Sequence, residues 1–162
     1  MEVGHSDHKR SLYLAASINQ IPIKSALVDT GASVDLIPLS TLQAIGISER
    51  KIQRCLMEVT GFGGRGKNTT GHIQLWLKVG PIAPLARFHV VRMEVSYHVL
   101  LGRSWLHKHR LVPSTYRQCV KGRLNGRMIC IVANPSPFEQ VEAYLVETMF
   151  YDQWAPSGES SI

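Results

Sequence analysis

Cysteine is scarce in this chain, and what there is shows no pairing pattern. Cys55, Cys119 and Cys130 are the three cysteines among 162 residues, and none stands in C-x-x-C spacing. An odd, scattered set argues against a disulfide framework or a zinc site and points to a reducing compartment, hence a cytoplasmic setting. Long hydrophobic runs are also missing: no apolar stretch approaches the length that a membrane span needs. The first ten residues, "MEVGHSDHKR", are polar and carry no apolar h-region, so nothing suggests a secretory leader. Aromatic residues make up 7% of the chain and are not interleaved with the basic ones, so a solvated basic surface is expected rather than a specific nucleic-acid interface. No internal repeat is present, and no Lys or Arg follows Arg127. All 18 basic residues lie at or before that position, whereas Glu139, Glu142, Glu147, Asp152 and Glu159 come after it. The change of sign falls beside Pro135 and Pro137, both chain-breaking signals. The expected organisation is therefore a flexible N-terminal segment over 1–10, one domain over 11–134 and an acidic tail or linker over 135–162.

A hydrophobic content of 44% in 162 residues suits one globular domain with one core. Ser11 to Ile18 and Ile21 to Val28 are apolar-rich runs split by Asn19-Gln20, a hairpin pattern. "ASVDLIP" reads as a strand. "LSTLQAIGI" reads as one or two helical turns, which Ser40 can cap and Gly46 can end. "CLMEVT", "HIQLWLKV" and "RFHVVRMEV" are further strands. "LLGRSWLHKH" passes through Gly102 into a short helix. "YRQCVKGRL" and "RMICIVA" flank Asn125-Gly126, the strongest two-residue hairpin signal in the chain. Many short strands with tight turns predict an all-β domain with one or two short helices.

The glycine run from Gly61 to Gly71, "GFGGRGKNTTG", satisfies G-x-G-x-x-G and nearly satisfies G-x-x-x-x-G-K-[ST], with Asn68 where a hydroxyl should stand. A phosphate loop needs a helix behind it, because amide groups at a helix N-terminus face the anion. Here β-branched residues follow, with Ile73, Leu75 and Leu77 at period two. The run is better read as a long glycine-rich hairpin.

"ALVDTGASVDLIP" places Asp29 at the end of an apolar strand, with Thr30-Gly31 turning the chain before another apolar segment. An ionisable group between apolar segments is a candidate for chemistry. A glycine-rich hairpin about thirty residues on would serve as a mobile cover, and "VLLGR" supplies a glycine where backbone can pass close to the turn. In this order the three elements resemble the retropepsins, the aspartic proteases of retroviruses and LTR retrotransposons. The signature is Asp29-Thr30-Gly31-Ala32, the flap is Val59 to Gly64, and the apolar-apolar-Gly-Arg element is Leu100-Leu101-Gly102-Arg103. The resemblance covers roughly Ser11 to Ala133 and is nearest to a gypsy-type, plant-like retrotransposon protease.

That resemblance implies a retropepsin-like half-barrel with a glycine-rich flap hairpin, paired as a two-fold homodimer. It implies a catalytic Asp29 supported by Thr30 and Gly31. Extended peptide segments of a polyprotein would contact Ala32, Ser33, Gly61, Phe62, Gly63 and Gly64, while Leu100, Leu101, Gly102 and Arg103 support the site. It implies no cofactor, no metal and no membrane partner, and a cytoplasmic enzyme, within virus-like particles where these form. His107 and His109 lack Cys or carboxylate neighbours at ligand spacing and read as a solvated basic turn. Two carboxylates sharing one proton can act as base and acid together. The chain contains one Asp-Thr-Gly, so the second carboxylate must come from another copy. Ser33 stands where the retroviral enzymes carry a second Asp that pairs with the arginine matching Arg103; Asp35, two residues further, is a candidate substitute. The alternatives that share these motifs are a non-catalytic dimerisation or peptide-binding module and a cellular retropepsin-like domain of the ubiquitin-shuttle kind.

Overall fold

A computed structural model describes residues 10–54, 58–59, 67–68 and 71–138. The chain opens with a hairpin of β1 (Leu12–Ile18) and β2 (Ile21–Val28), in which Ile18 faces Ile21 across the two-residue turn. Asn19 and Gln20 both hold positive φ, 48° and 73°, the conformation that matches a tight turn to the twist of its strands. The same device recurs at Asn125 and Gly126, with φ of 53° and 79°, between β10 (Cys119–Leu124) and β11 (Arg127–Val132).

Between these hairpins lie β3 (Leu36–Pro38), β6 (Gly71–Lys78), β7 (Leu85–Val91) and β8 (Val99–Leu101). With β1 and β2 they form a closed barrel in the order β1-β2-β8-β3-β7-β6. Closure depends on two parallel pairings, β2 with β8 and β3 with β7. Strand β6 shows why the ring has an inside. Its residues alternate, with Ile73, Leu75 and Leu77 buried while Gln74 and Trp76 face outward. Phe88, Leu14, Ile37, Leu42 and Trp105 complete the core, each at most 2% exposed. Full burial of side chains this size contributes about 2–3 kcal/mol apiece before the entropy of ordering is counted.

Two short helices pack at the barrel, α1 (Leu39–Ala44) and α2 (Arg103–Lys108). Ser40 does not cap α1. Pro38 carries strand geometry (φ −69°, ψ 147°) directly into the helix and occupies the cap position without a side-chain bond. Ser40 is therefore already inside the first turn, where its hydroxyl cannot serve the free N–H groups ahead of it. Gly46 does end the helix. At φ +79° its N–H donates to the Gln43 carbonyl at 3.1 Å, and the Ile47 N–H donates to that of Leu42 at 2.9 Å. A single 3-10 turn, Glu49–Lys51, follows, tied to the barrel by an Arg92–Glu49 ion pair of 3.1 Å.

The short strands β4 (Glu58–Val59) and β5 (Lys67–Asn68) pair antiparallel, so the expected glycine-rich hairpin has a paired stem. A second sheet, β9 (Val112–Ser114), β10 and β11, extends the chain beyond α2 in the order β11-β10-β9. After β11 the chain returns to the first hairpin. The Asn134 N–H donates to the Tyr13 carbonyl at 2.8 Å, its side-chain amide donates to the Lys24 carbonyl at 3.0 Å, and Phe138 meets the Tyr13 ring edge-on at 4.8 Å. Among the described residues no helix is long and apolar enough to cross a membrane.

Candidate active site

Asp29 lies immediately past β2, half-buried. Its N–H donates to the Leu101 carbonyl at 3.0 Å, which fixes the end of β2 against β8. Its carboxylate oxygen Oδ1 accepts the Gly31 N–H at 2.8 Å, and its carbonyl accepts the Ala32 N–H at 3.2 Å. An aspartate that binds backbone two residues on is a self-closing turn, so the Asp-Thr-Gly sequence suffices to shape it locally. A Cβ at Gly31 would stand 3.2 Å from the same Oδ1 and would crowd the carboxylate. Thr30, Gly31 and Ser33 are exposed, whereas Ala32 is buried with Leu36, Val91, Tyr97 and Leu100 in a small cluster beneath the turn.

The structure brings Leu100, Leu101, Gly102 and Arg103 onto this turn. Leu100 pairs with both Leu27 of β2 and Leu36 of β3, wedging β8 between the two segments that flank Asp29. At Gly102 the backbones nearly touch: a Cβ would lie 2.4 Å from the Val34 carbonyl oxygen and 2.7 Å from that of Ala32. Only glycine permits that approach. Arg103 then binds the turn twice, through its N–H to the Ala32 carbonyl and its guanidinium Nη1 to the Thr30 carbonyl, both at 2.8 Å.

Asp35 does not stand in for the missing acid at Ser33. Ser33 and Val34 bend rather than run extended, so the two-residue spacing does not keep Asp35 on the face of the turn. Its side chain is 4% exposed, and Oδ1 accepts the N–H groups of Gly102 at 2.8 Å and Trp105 at 3.3 Å. Gly102 is the cap residue of α2 and has no side chain with which to satisfy the helix's free donors. Asp35 supplies the cap from the opposite side of the turn, where the positive end of the helix favours a carboxylate. Burial is the largest influence on it and pushes its pKa up to about 6, against the two N–H bonds and the charge of Lys108. Sequence reasoning also passed over Tyr97, which is 7% exposed. Burial pushes its phenol up, and the nearby charges of Asp29 and then Tyr13 add to the shift. The available signal was an aromatic residue three places ahead of Leu100, in a segment otherwise bound for the turn.

Asp29 and Thr30 open on a cleft of about 540 Å³, walled by Arg10, Leu12, Leu27 and Pro113. The second sheet thus contributes part of the wall through β9. Gly61, Phe62, Gly63 and Gly64, expected to cover the cleft, lie outside the described residues. Among the described residues no group of three His, Cys, Asp or Glu side chains is placed to hold a metal ion. His107 is exposed, and His109 packs against Trp105 with ring centres 5.6 Å apart. The chain presents one carboxylate, held by its own backbone, at the floor of an open cleft.

The family model described as "gag-polyprotein putative aspartyl protease" matches residues 14–108, more than half of the chain. The chain belongs to this retropepsin-like aspartyl protease family. The matched span runs from β1 to the end of α2, so it holds the Asp29 turn, the β4–β5 stem and the Leu100–Arg103 element, and it stops before the second sheet. One solved structure supports the fold. The retroviral protease-like domain of Ddi1 from Leishmania major superposes with a TM-score of 0.59 at 20% identity, covering 78% of this chain and 97% of that one. A retropepsin-like aspartic protease from Rickettsia conorii gives 0.49 at 20% identity, over 75% of this chain and 81% of that one. No curated protein matches the chain.

Proposed function

We propose that this member of the family is an aspartic endopeptidase, active as a homodimer, that matures a polyprotein of a gypsy-type retroelement. The observation that carries the reading is the placement of Asp29: a half-buried carboxylate on a backbone-locked turn at the floor of an open cleft, in a chain with a single Asp-Thr-Gly. Peptide hydrolysis needs a base to activate water and an acid to protonate the leaving amide. Two Asp29 side chains across a two-fold axis meet both needs, because carboxylates that close cannot both ionise and share one proton. The pair then titrates as a unit. Thr30 and Gly31 hold the two turns together and admit the substrate backbone. The peptide lies extended along Ala32 and Ser33, under a flap of Gly61, Phe62, Gly63 and Gly64, and adds main-chain bonds as a strand does. Arg103, Leu100, Leu101 and Gly102 keep the turn in place. The domain proper is taken as 11–134, with 135–162 as an acidic linker; the Asn134 bonds to Tyr13 and Lys24 support an end to the folded unit near there.

Asp29→Asn on a polyprotein spanning this region tests the chemistry. The substitution preserves size and the bond from Gly31 but removes the ionisable group, and processing should stop; processing that survives sinks the peptidase reading. Dilution tests the pairing. Specific activity should fall as the dimer dissociates, and strict proportionality between rate and enzyme concentration down to nanomolar levels would exclude a dissociable dimer.

A further inference from the structure

The outer face of β6 carries a groove that the peptidase reading does not use. It holds about 700 Å³ and shares no residue with the Asp29 cleft. One wall is the C-terminal end of α1 and the loop after it, from Ile45 to Ser48, and the other is Trp76 with Leu85. Trp76 is 59% exposed, a large apolar surface left open to water. The charged and titratable lining is Lys51, His72 and Arg87, with no Asp or Glu. Glu49, on the same 3-10 turn as Lys51, is drawn away to Arg92 at 3.1 Å.

The floor of the groove is a gap in a sheet edge. His72 exchanges both of its backbone bonds with Gln53, at 2.8 and 2.9 Å, and Trp76 bonds to Asn19 through its carbonyl at 2.9 Å and its N–H at 3.1 Å. Gln74 stands midway and, by the alternation of an antiparallel ladder, turns its N–H and carbonyl to the same side. Among the described residues nothing pairs with them. A single residue of an extended segment, crossing between Gln53 and Asn19, would complete the ladder there, while side chains next to it meet Trp76 on one side and Lys51 and Arg87 on the other.

We infer that this groove is a docking site for the chain's own C-terminal segment, residues 139–162, separate from the cleft that holds Asp29. The segment matches the groove in chemistry. It carries Glu139, Glu142, Glu147, Asp152 and Glu159 with no Lys or Arg, and it supplies Tyr144, Met149, Phe150, Tyr151 and Trp154 for the apolar wall. It also starts from a suitable place. The described chain ends at Phe138 against Tyr13, and β1 runs from Tyr13 to the Asn19 turn that lines the groove. That run is about 20 Å at the rise of a strand, against a reach on the order of 80 Å for the extended segment. The inference does not depend on the peptidase reading, and its test does not measure hydrolysis.

Zero-length carbodiimide cross-linking of the full chain, mapped by mass spectrometry, reads the contact directly. Lys51 should join to carboxylates within 139–162 more often than Lys24, Lys108 or Lys121 do, and the Gln74 amide should exchange slowly with solvent. Reversing both charges with Lys51→Glu and Arg87→Glu should speed Gln74 exchange roughly tenfold, with far-UV circular dichroism showing that the barrel is intact. Cross-links spread evenly over the lysines would overturn the inference. So would a Gln74 amide that exchanges at the same rate in wild type and variant. Mixing isotopically light and heavy chains identifies the donor. Cross-links within one chain support the assignment, and cross-links found only between chains would replace it with a second copy.

Discussion

The Asp35 carboxylate accepts the Gly102 N–H at 2.8 Å, joining residues 67 positions apart in the chain. Through this bond the segment that leaves the Asp29 turn caps the helix whose first residue, Arg103, holds the turn from the other side. The side chain is almost fully buried, and its pKa rises from 3.8 to about 6. Folding therefore favours the neutral form. The stabilisation that this provides is complete below the unfolded value, near pH 4, and is lost as pH rises to about 6. Asp35→Asn stays neutral throughout and should remove that dependence. Between pH 4 and pH 7 the stability of the variant relative to wild type should rise by on the order of 2–3 kcal/mol. Calorimetric melts across this window check the slope, and parallel curves for the two proteins would show that Asp35 does not titrate there.

Gly102→Ala should be among the most damaging single-methyl additions in the chain. The new Cβ would meet two backbone oxygens, of Val34 and Ala32, and neither can swing aside as a side chain does. A loss of roughly 3 kcal/mol or more is expected, seen as a fall in Tm of roughly 10 °C. An unchanged Tm would mean that the close approach of these backbones is not needed.

The two hairpin turns provide an internal comparison. Asn125-Gly126 places glycine at φ 79°, and Asn19-Gln20 places a full side chain at φ 73°. Gln20→Gly removes the strain of a left-handed residue and gives back part of the gain through a looser unfolded chain. The net effect should be a stabilisation of about 0.5 kcal/mol, raising Tm by roughly 2 °C. Gly126→Gln should move Tm in the opposite direction, and equal signs for the two substitutions would contradict the account.

The parts of the fold and of the site that close on themselves were legible from residue types alone. Asp29 binds Gly31 two places away, Asn125-Gly126 makes its own turn, and Gly46 ends its helix by accepting a positive φ. Leu100 to Arg103 could be matched to the turn only as an ordered pattern, because the contacts at Gly102 cross from one part of the chain to another. Asp35 could not be placed that way. Its partners are backbone N–H groups, which every residue but proline carries, and nothing in the spacing marks Gly102 and Trp105 as theirs. Ser40 misled for a related reason: a serine near the start of a helix suggests a cap, but Pro38 set the boundary earlier. Trp76 and Gln74 alternate outward as period two predicts, yet the gap between Gln53 and Asn19 exists only once the barrel has closed.

The parallel pairing of Ala26–Val28 with Val99–Leu101 also sets the order in which the Asp29 turn can be completed. A chain emerging from its N-terminus makes the β1–β2 hairpin early, because that contact is local. Leu101, Gly102 and Arg103, which fix the turn, arrive only after the strands between have been made, and α2 with its Trp105 comes later still. Until then the aspartate follows the β1–β2 ladder, which ends at Leu12 and Val28, with no β8 on its other side. Long-range pairings of this kind form slowly, so a nascent or truncated chain that ends before Leu101 carries the Asp-Thr-Gly sequence without its architecture. Whatever this carboxylate does, the turn that carries it is held by a residue 73 positions further along the chain.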